Sequence, residues 1–139
     1  MKNLRSLLLL CLMGILLVAC ANEDEIYLSR VDVLAVKDEA MEEENMIIDL
    51  VTLDSIKSLL GEIRWEPNSD HEIEGSEDFI ATLFYTDNED QHDQLYLYRM
   101  SFNSDGSLSI VSNNEEEGYG ILDEEYAEKL KTLLEGYIY

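Results

Sequence analysis

The stretch FIATLFYTDNEDQHDQLYLYRMSFNSDGSLSIVSN, residues 79–113, decides the architecture. It holds three runs rich in β-branched and aromatic residues, separated by two polar, turn-forming segments. FIATLFYT (79–86) reads as a strand and DNEDQHD (87–93) as an acidic turn. In QLYLYRMSF (94–102), Leu95 and Leu97 alternate with Tyr96, Tyr98, Met100 and Phe102, the period-2 pattern of a strand with two different faces. NSDGS (103–107) carries the turn pair Asp105-Gly106, and LSIVSN (108–113) is the return strand. The sequence therefore predicts an antiparallel meander.

Working outward from the meander, IYLSRVDVLAVK has apolar residues on both parities and predicts one bent strand over 27–36. KDEAMEEEN (37–45) is a charged connection, and MIIDLV (46–51) predicts a strand feeding straight into a helix. That helix carries Leu53, Ile56, Leu59, Leu60 and Ile63 at helical spacing, with Thr52 or Asp54 to cap it and Gly61 to end it. IRWEP stops at Pro67, and NSDHEIEGSED (68–78) reads as a loop. After the meander come YGIL (119–122), a short extended segment, and a second helix. Asp123 stands at its start, Glu124 and Glu125 lie in its first turn, and Tyr126, Leu130, Leu133, Leu134 and Tyr137 form its apolar face, with Gly136 as the expected end. The expected fold is α+β: a small antiparallel sheet of four or five strands with two amphipathic helices packed on one face.

The other end of the chain has a different character. Lys2 and Arg5 precede an apolar run from Leu7 to Leu16, then Val18, Ala19 and Cys20. A basic start, an apolar centre and small residues at a cut are the parts of a secretory signal peptide. The run is too short to cross a bilayer, which takes about twenty residues. Leu17-Val18-Ala19-Cys20 resembles the lipobox of bacterial lipoproteins. That resemblance implies that Cys20 receives a diacylglyceryl group and becomes the mature N-terminus after cleavage. The expected organisation is a signal peptide over 1–19, a lipidated N-terminus and short tether over 20–26, and a single α+β domain over 27–139. The chain is then lipid-anchored on the extracytoplasmic face of the cell membrane. A second, looser resemblance links Gly120-Ile121-Leu122 and the closing helix to short Gram-positive lipoproteins that share a domain of unknown function, although Gly118-Tyr119 stands where that group has Pro-Tyr.

Cleavage removes two of the nine Lys and Arg and none of the 31 Asp and Glu, so the formal charge moves from −22 to −24. A body this acidic excludes nucleic acid, whose binding needs clustered cations. Anionic lipid also repels it, so membrane attachment falls to the acyl chains on Cys20. A basic protein or peptide is the complementary partner, and solubility is the plainer reason for the charge. Cys11 leaves with the signal peptide and Cys20 is acylated, so the folded part has no thiol for a disulfide, a metal site or a nucleophile.

Chemistry-bearing patterns are sparse. Asp87, Glu89, Asp90, His92 and Asp93 crowd one turn, yet a calcium loop counted from Asp87 would need glycine where His92 stands and glutamate where Tyr98 stands. His71 and His92 stand apart from one another and from any zinc-site spacing. The nucleophile-elbow pattern is absent, and paired carboxylates carry little information among 31 acids. No cofactor, catalytic or metal residue is assigned. Tyr85, Tyr96, Tyr98, Tyr119 and Trp65 read either as cross-strand packing or as a binding patch. The expected function is a non-enzymatic interaction or accessory module at the membrane surface. A small-ligand or cation-binding lipoprotein comes second and a hydrolytic enzyme third.

Overall fold

The computed structural model describes residues 26–37, 40–41, 43–87 and 93–139. The elements run β1 (Tyr27–Lys37), β2 (Ala40–Met41), β3 (Asn45–Ile47), α1 (Leu50–Leu60), β4 (Arg64–Glu66), β5 (Phe79–Thr86), β6 (Asp93–Phe102), β7 (Leu108–Ser112), β8 (Tyr119–Leu122) and α2 (Glu124–Ile138). Leu17-Val18-Ala19-Cys20, expected to be a lipobox, and most of the 87–93 turn, including Glu89, Asp90 and His92, lie outside the described residues.

The expected sheet of four or five strands is too small. Among the described residues, eight strands form one antiparallel sheet, seven of them in the order β2-β1-β5-β6-β7-β8-β4, with β3 also pairing with β1. The meander β5-β6-β7-β8 is its centre, and β1 joins β5 from Tyr27↔Thr86 to Ala35↔Phe79. The missed strands β2 and β4 are two and three residues long, too short to show a period, while the strand expected within 46–51 is β3, which ends at Ile47. β4 was obscured by Pro67, which follows its last residue and closes nothing before it. The picture of two helices laid over a small sheet changes as well. The sheet is the larger layer, and α1 and α2 pack against each other and on β1, with α2 also reaching β3.

A β-bulge between Leu28 and Arg30 changes the parity of the first strand between Leu28 and Val31. Ser29 is the extra residue, so Leu28 and Val31 both point into the core while their partners on β5 keep strict alternation. The Ser29 hydroxyl donates to the Phe84 carbonyl at 3.1 Å and accepts from Thr86 Oγ1 at 2.7 Å, satisfying the groups the bulge displaces. The core is formed by Val31, Val33, Leu83, Met100, Ile110 and Leu122 from the sheet, closed by Leu53, Ile56, Leu130 and Leu134 from the helices. Gly120 is required on β8, because a Cβ there would lie 2.5 Å from Ile63 Cγ2 and 2.6 Å from Trp65 Cε3.

The helix ends differ from expectation in instructive ways. α1 starts at Leu50, with its cap at Asp49 rather than at Thr52 or Asp54, because Asp49 accepts from both the Thr52 amide (2.9 Å) and the Thr52 hydroxyl (2.8 Å). Those bonds hold the Asp49 carboxyl below its ordinary pKa. At α2, Asp123 occupies the cap position but makes no side-chain cap bond; it accepts from Arg64 at 2.8 Å, tying the helix start to β4. Gly136 does not end α2, which continues to Ile138. The Asp105-Gly106 turn is as expected, with Gly106 at φ 87°.

Candidate functional site

Two places bring chemistry-bearing side chains together, and they are built in opposite ways. The first lies at the end of the sheet. Tyr98, 3 % exposed, donates to Glu117 Oε1 at 2.9 Å, and the Ser112 hydroxyl donates to Glu117 Oε2 at 2.6 Å. Trp65 meets the Tyr98 ring edge to face at 5.5 Å, and Tyr85 meets Tyr96 at 5.4 Å. Burial, then the adjacent Glu117 carboxylate, push the Tyr98 phenol well above its ordinary range, and Tyr85 is raised for the same two reasons. Glu117 is brought there by a tight loop in which Gly118, at φ 71°, donates to the Asn114 carbonyl at 2.9 Å. Both carboxylate oxygens are occupied, so this cluster holds the loop down on the sheet.

The second place is an open groove of about 960 Å³ between α1 and α2. Val51 and Leu59 from α1 and Leu133 from α2 give it apolar walls. Asp54, Ser55 and Ser58 line one side, and Glu125, Glu128, Lys129 and Thr132 the other. Helical spacing produces each row: residues three and four apart share a face, so Asp54 and Ser58, or Glu125, Glu128 and Thr132, line up along the groove. Glu125 accepts from Lys129 at 2.8 Å, which lowers the Glu125 pKa and raises that of Lys129. The Ser55 and Thr132 hydroxyls donate back to their own helices, at Val51 and Glu128 carbonyls. Asp54 and Glu128 are exposed along this groove. Its size falls in the range of small-molecule sites. Water can enter, an apolar chain can lie on the floor, and a carboxylate can take a proton from water at the rim.

The residues singled out in the sequence are scattered. Of the acidic turn, Asp93 begins β6, with its carboxylate 2.7 Å from Thr86 Oγ1. His71 is exposed, with Nδ1 2.8 Å from the Ser69 hydroxyl and its ring tilted against Tyr119 at 5.2 Å. Among the described residues, no three His, Cys, Asp or Glu side chains gather into a metal-holding group. Tyr119 shares a hydroxyl contact of 3.0 Å with Ser109 on the sheet face away from the helices. Sequence reasoning missed the groove because Asp54 and Glu128 are 74 positions apart and each helix, taken alone, shows only an ordinary polar flank. The one available signal was the row of small and acidic residues beside the apolar stripe of both helices.

No protein-family model matches the chain, and no curated protein does. Among solved structures, the chain resembles the crystal structure of a thioesterase-like protein from Clostridium sporogenes, with a TM-score of 0.52 at 20 % identity. The match covers 77 % of this chain and 94 % of that one. The likeness is one of fold. It overturns the expectation of a non-enzymatic accessory module, which stood on the absence of any contiguous catalytic motif. A groove assembled from two distant helices is invisible to such a test.

Proposed function

We propose that this chain is a hydrolase acting on thioesters or closely related acyl esters, with its site in the groove between α1 and α2. The observation that carries the reading is an open, apolar-walled groove bearing the exposed carboxylates of Asp54 and Glu128, on a fold similar to that of a thioesterase-like protein. A thioester suits such a site. Water activated by one carboxylate attacks the carbonyl carbon, the C–S bond breaks, and the carboxylate passes the proton to the departing sulfur. A thiol ionises near pH 8.5, far more readily than an alcohol, so the leaving group needs no strong acid. Val51, Leu59 and Leu133 would hold the acyl chain, and Glu125, committed to Lys129, would orient the ammonium at the rim. The test is release of free thiol from acyl thioesters of increasing chain length. Turnover that rises with chain length and drops in Asp54→Asn or Glu128→Gln supports the proposal. Binding without turnover, or turnover unchanged in both variants, overturns it.

The same proposal places the enzyme on the outer face of the membrane. What supports this is sequence: a basic start, a short apolar run and the four residues Leu17 to Cys20. Among the described residues no helix is long and apolar enough to cross a membrane. Metabolic palmitate label should appear on the native chain and be lost in Cys20→Ser; label retained in the variant would sink the anchor.

A further inference from the structure

The β3–α1 corner presents apolar residues that the core does not use. Met46, Ile48, Leu50 and Val51 are 55, 64, 70 and 76 % exposed, and they follow one another almost without interruption. The register fixes where they lie. β3 pairs antiparallel with β1 through Val31↔Ile47, Asp32↔Met46 and Val33↔Asn45, so the chain leaving Ile47 runs back toward the start of β1. Ile26 and Tyr27, at that start, are themselves 46 and 40 % exposed. The corner therefore lies on the side of the molecule from which the chain leads to Cys20. Five residues separate Cys20 from Ile26, and the six extended steps between those two positions reach about 20 Å. A lipid on Cys20 holds this corner within that distance of the bilayer.

We infer that the apolar corner formed by Ile26, Tyr27, Met46, Ile48, Leu50 and Val51 docks on a phospholipid surface, turning the anchored domain into one orientation. The occupant is a zwitterionic bilayer. The formal charge of −24 after cleavage and the nearby carboxylates of Asp49 and Asp54 oppose an anionic one, while exposed aliphatic and aromatic side chains gain by leaving water at the headgroup boundary. Val51 belongs to both features: it is the most exposed residue of the corner and it lines the groove between the helices. The corner and the groove are thus continuous, and a docked domain opens its groove toward the membrane. This names the substrate class of the proposed hydrolase as acyl chains drawn from, or released into, the bilayer. The inference rests on the lipid anchor at Cys20 and deepens the proposed groove chemistry.

The experiment uses the lipidated chain, processed through its own signal, on phosphatidylcholine vesicles whose acyl chains are brominated. Trp65 is the one native tryptophan and lies on β4, at the sheet edge opposite β1, so its emission is the internal reference. Val51→Trp and Ile48→Trp place a second indole at exposed positions that contribute nothing to the core. Leu97→Trp does the same on the outer sheet face. The expected result is a blue shift and bromine-dependent loss of emission for the tryptophans at 48 and 51, with the native protein and the 97 variant unchanged. Chains that float with the vesicles yet show no quenching at 48 or 51 overturn the docking and leave the anchor standing. Chains that fail to float overturn the anchor and the docking together. Neither readout involves thioester turnover, so failure of the groove chemistry is seen separately.

Discussion

Glu117 and Glu128 are the same side chain in two kinds of surroundings, and the contrast separates structure from chemistry. Glu117 sits at the end of the sheet with one oxygen taking the Tyr98 hydroxyl and the other the Ser112 hydroxyl. It has little capacity left for a substrate, and its removal leaves buried donors without acceptors. Glu128 lies exposed beside an open groove, across from Asp54. It contributes little to the fold, and its lone pairs are free to meet water or a ligand. A carboxylate tied down by its own protein stabilises; one facing an open apolar channel is available for reaction.

That contrast can be broken by experiment, beginning with the helix that serves both regions. Leu130 faces the sheet from α2 at 1 % exposure, whereas Leu133 lines the groove half-buried. Leu130→Ala should cost about 2–5 kcal/mol in denaturant unfolding, and Leu133→Ala much less, because only the former leaves an enclosed cavity. Equal losses would mean the groove is as closely packed as the core. Next in size, Glu117→Ala should cost about 1–3 kcal/mol by stranding the Tyr98 and Ser112 hydroxyls, with thioester turnover retained in the folded fraction. Lost turnover at full stability would move the site to the sheet end.

The closed region also has a pH signature. Because the folded state holds the Tyr98 proton above the phenol's ordinary value of 10.0, its contribution is fully present below that pH. As pH rises past it, the unfolded chain releases the proton and the folded chain does not, so stability falls. Tyr98→Phe should make the alkaline fall of melting temperature shallower but not abolish it, since the Tyr85 phenol is raised too. An unchanged slope would show that Tyr98 titrates freely. Smallest in stability are Asp54→Asn and Glu128→Gln, expected within about 0.5 kcal/mol of the native chain, as exposed substitutions usually are. A larger change would make these carboxylates structural and erase their difference from Glu117.

Much of the framework was legible because it is local. The alternation in QLYLYRMSF separates Leu95 and Leu97 from Tyr98 and Met100, and the structure turns the second pair inward. The α1 stripe puts Leu53 and Ile56 in the core, and Asp105-Gly106 makes the β6–β7 turn. The errors came where neighbours far along the chain intervene. Gly136 reads as a stop, yet α2 runs through it to Ile138. Asp123 reads as a cap, yet Arg64 claims its carboxylate. Trp65 reads as the end of ordered structure before Pro67, yet β4 pairs with β8 and its indole fills the space that Gly120 leaves open.

The sequence by itself determined the strand meander, the two amphipathic helices and the acidity of the body, since periodicity and charge are properties of adjacent residues. It also carries the contiguous run Leu17-Val18-Ala19-Cys20, on which the proposed lipid anchor rests. Only the tertiary structure decided that β1 lies beside β5, that β4 closes the far edge, and that eight strands rather than four or five form the sheet. It alone brought Asp54 and Glu128 to one groove and set Met46, Ile48, Leu50 and Val51 beside the entry of the chain. Such juxtapositions come from packing apolar faces whose partners are distant in sequence, and no local pattern specifies which faces will meet.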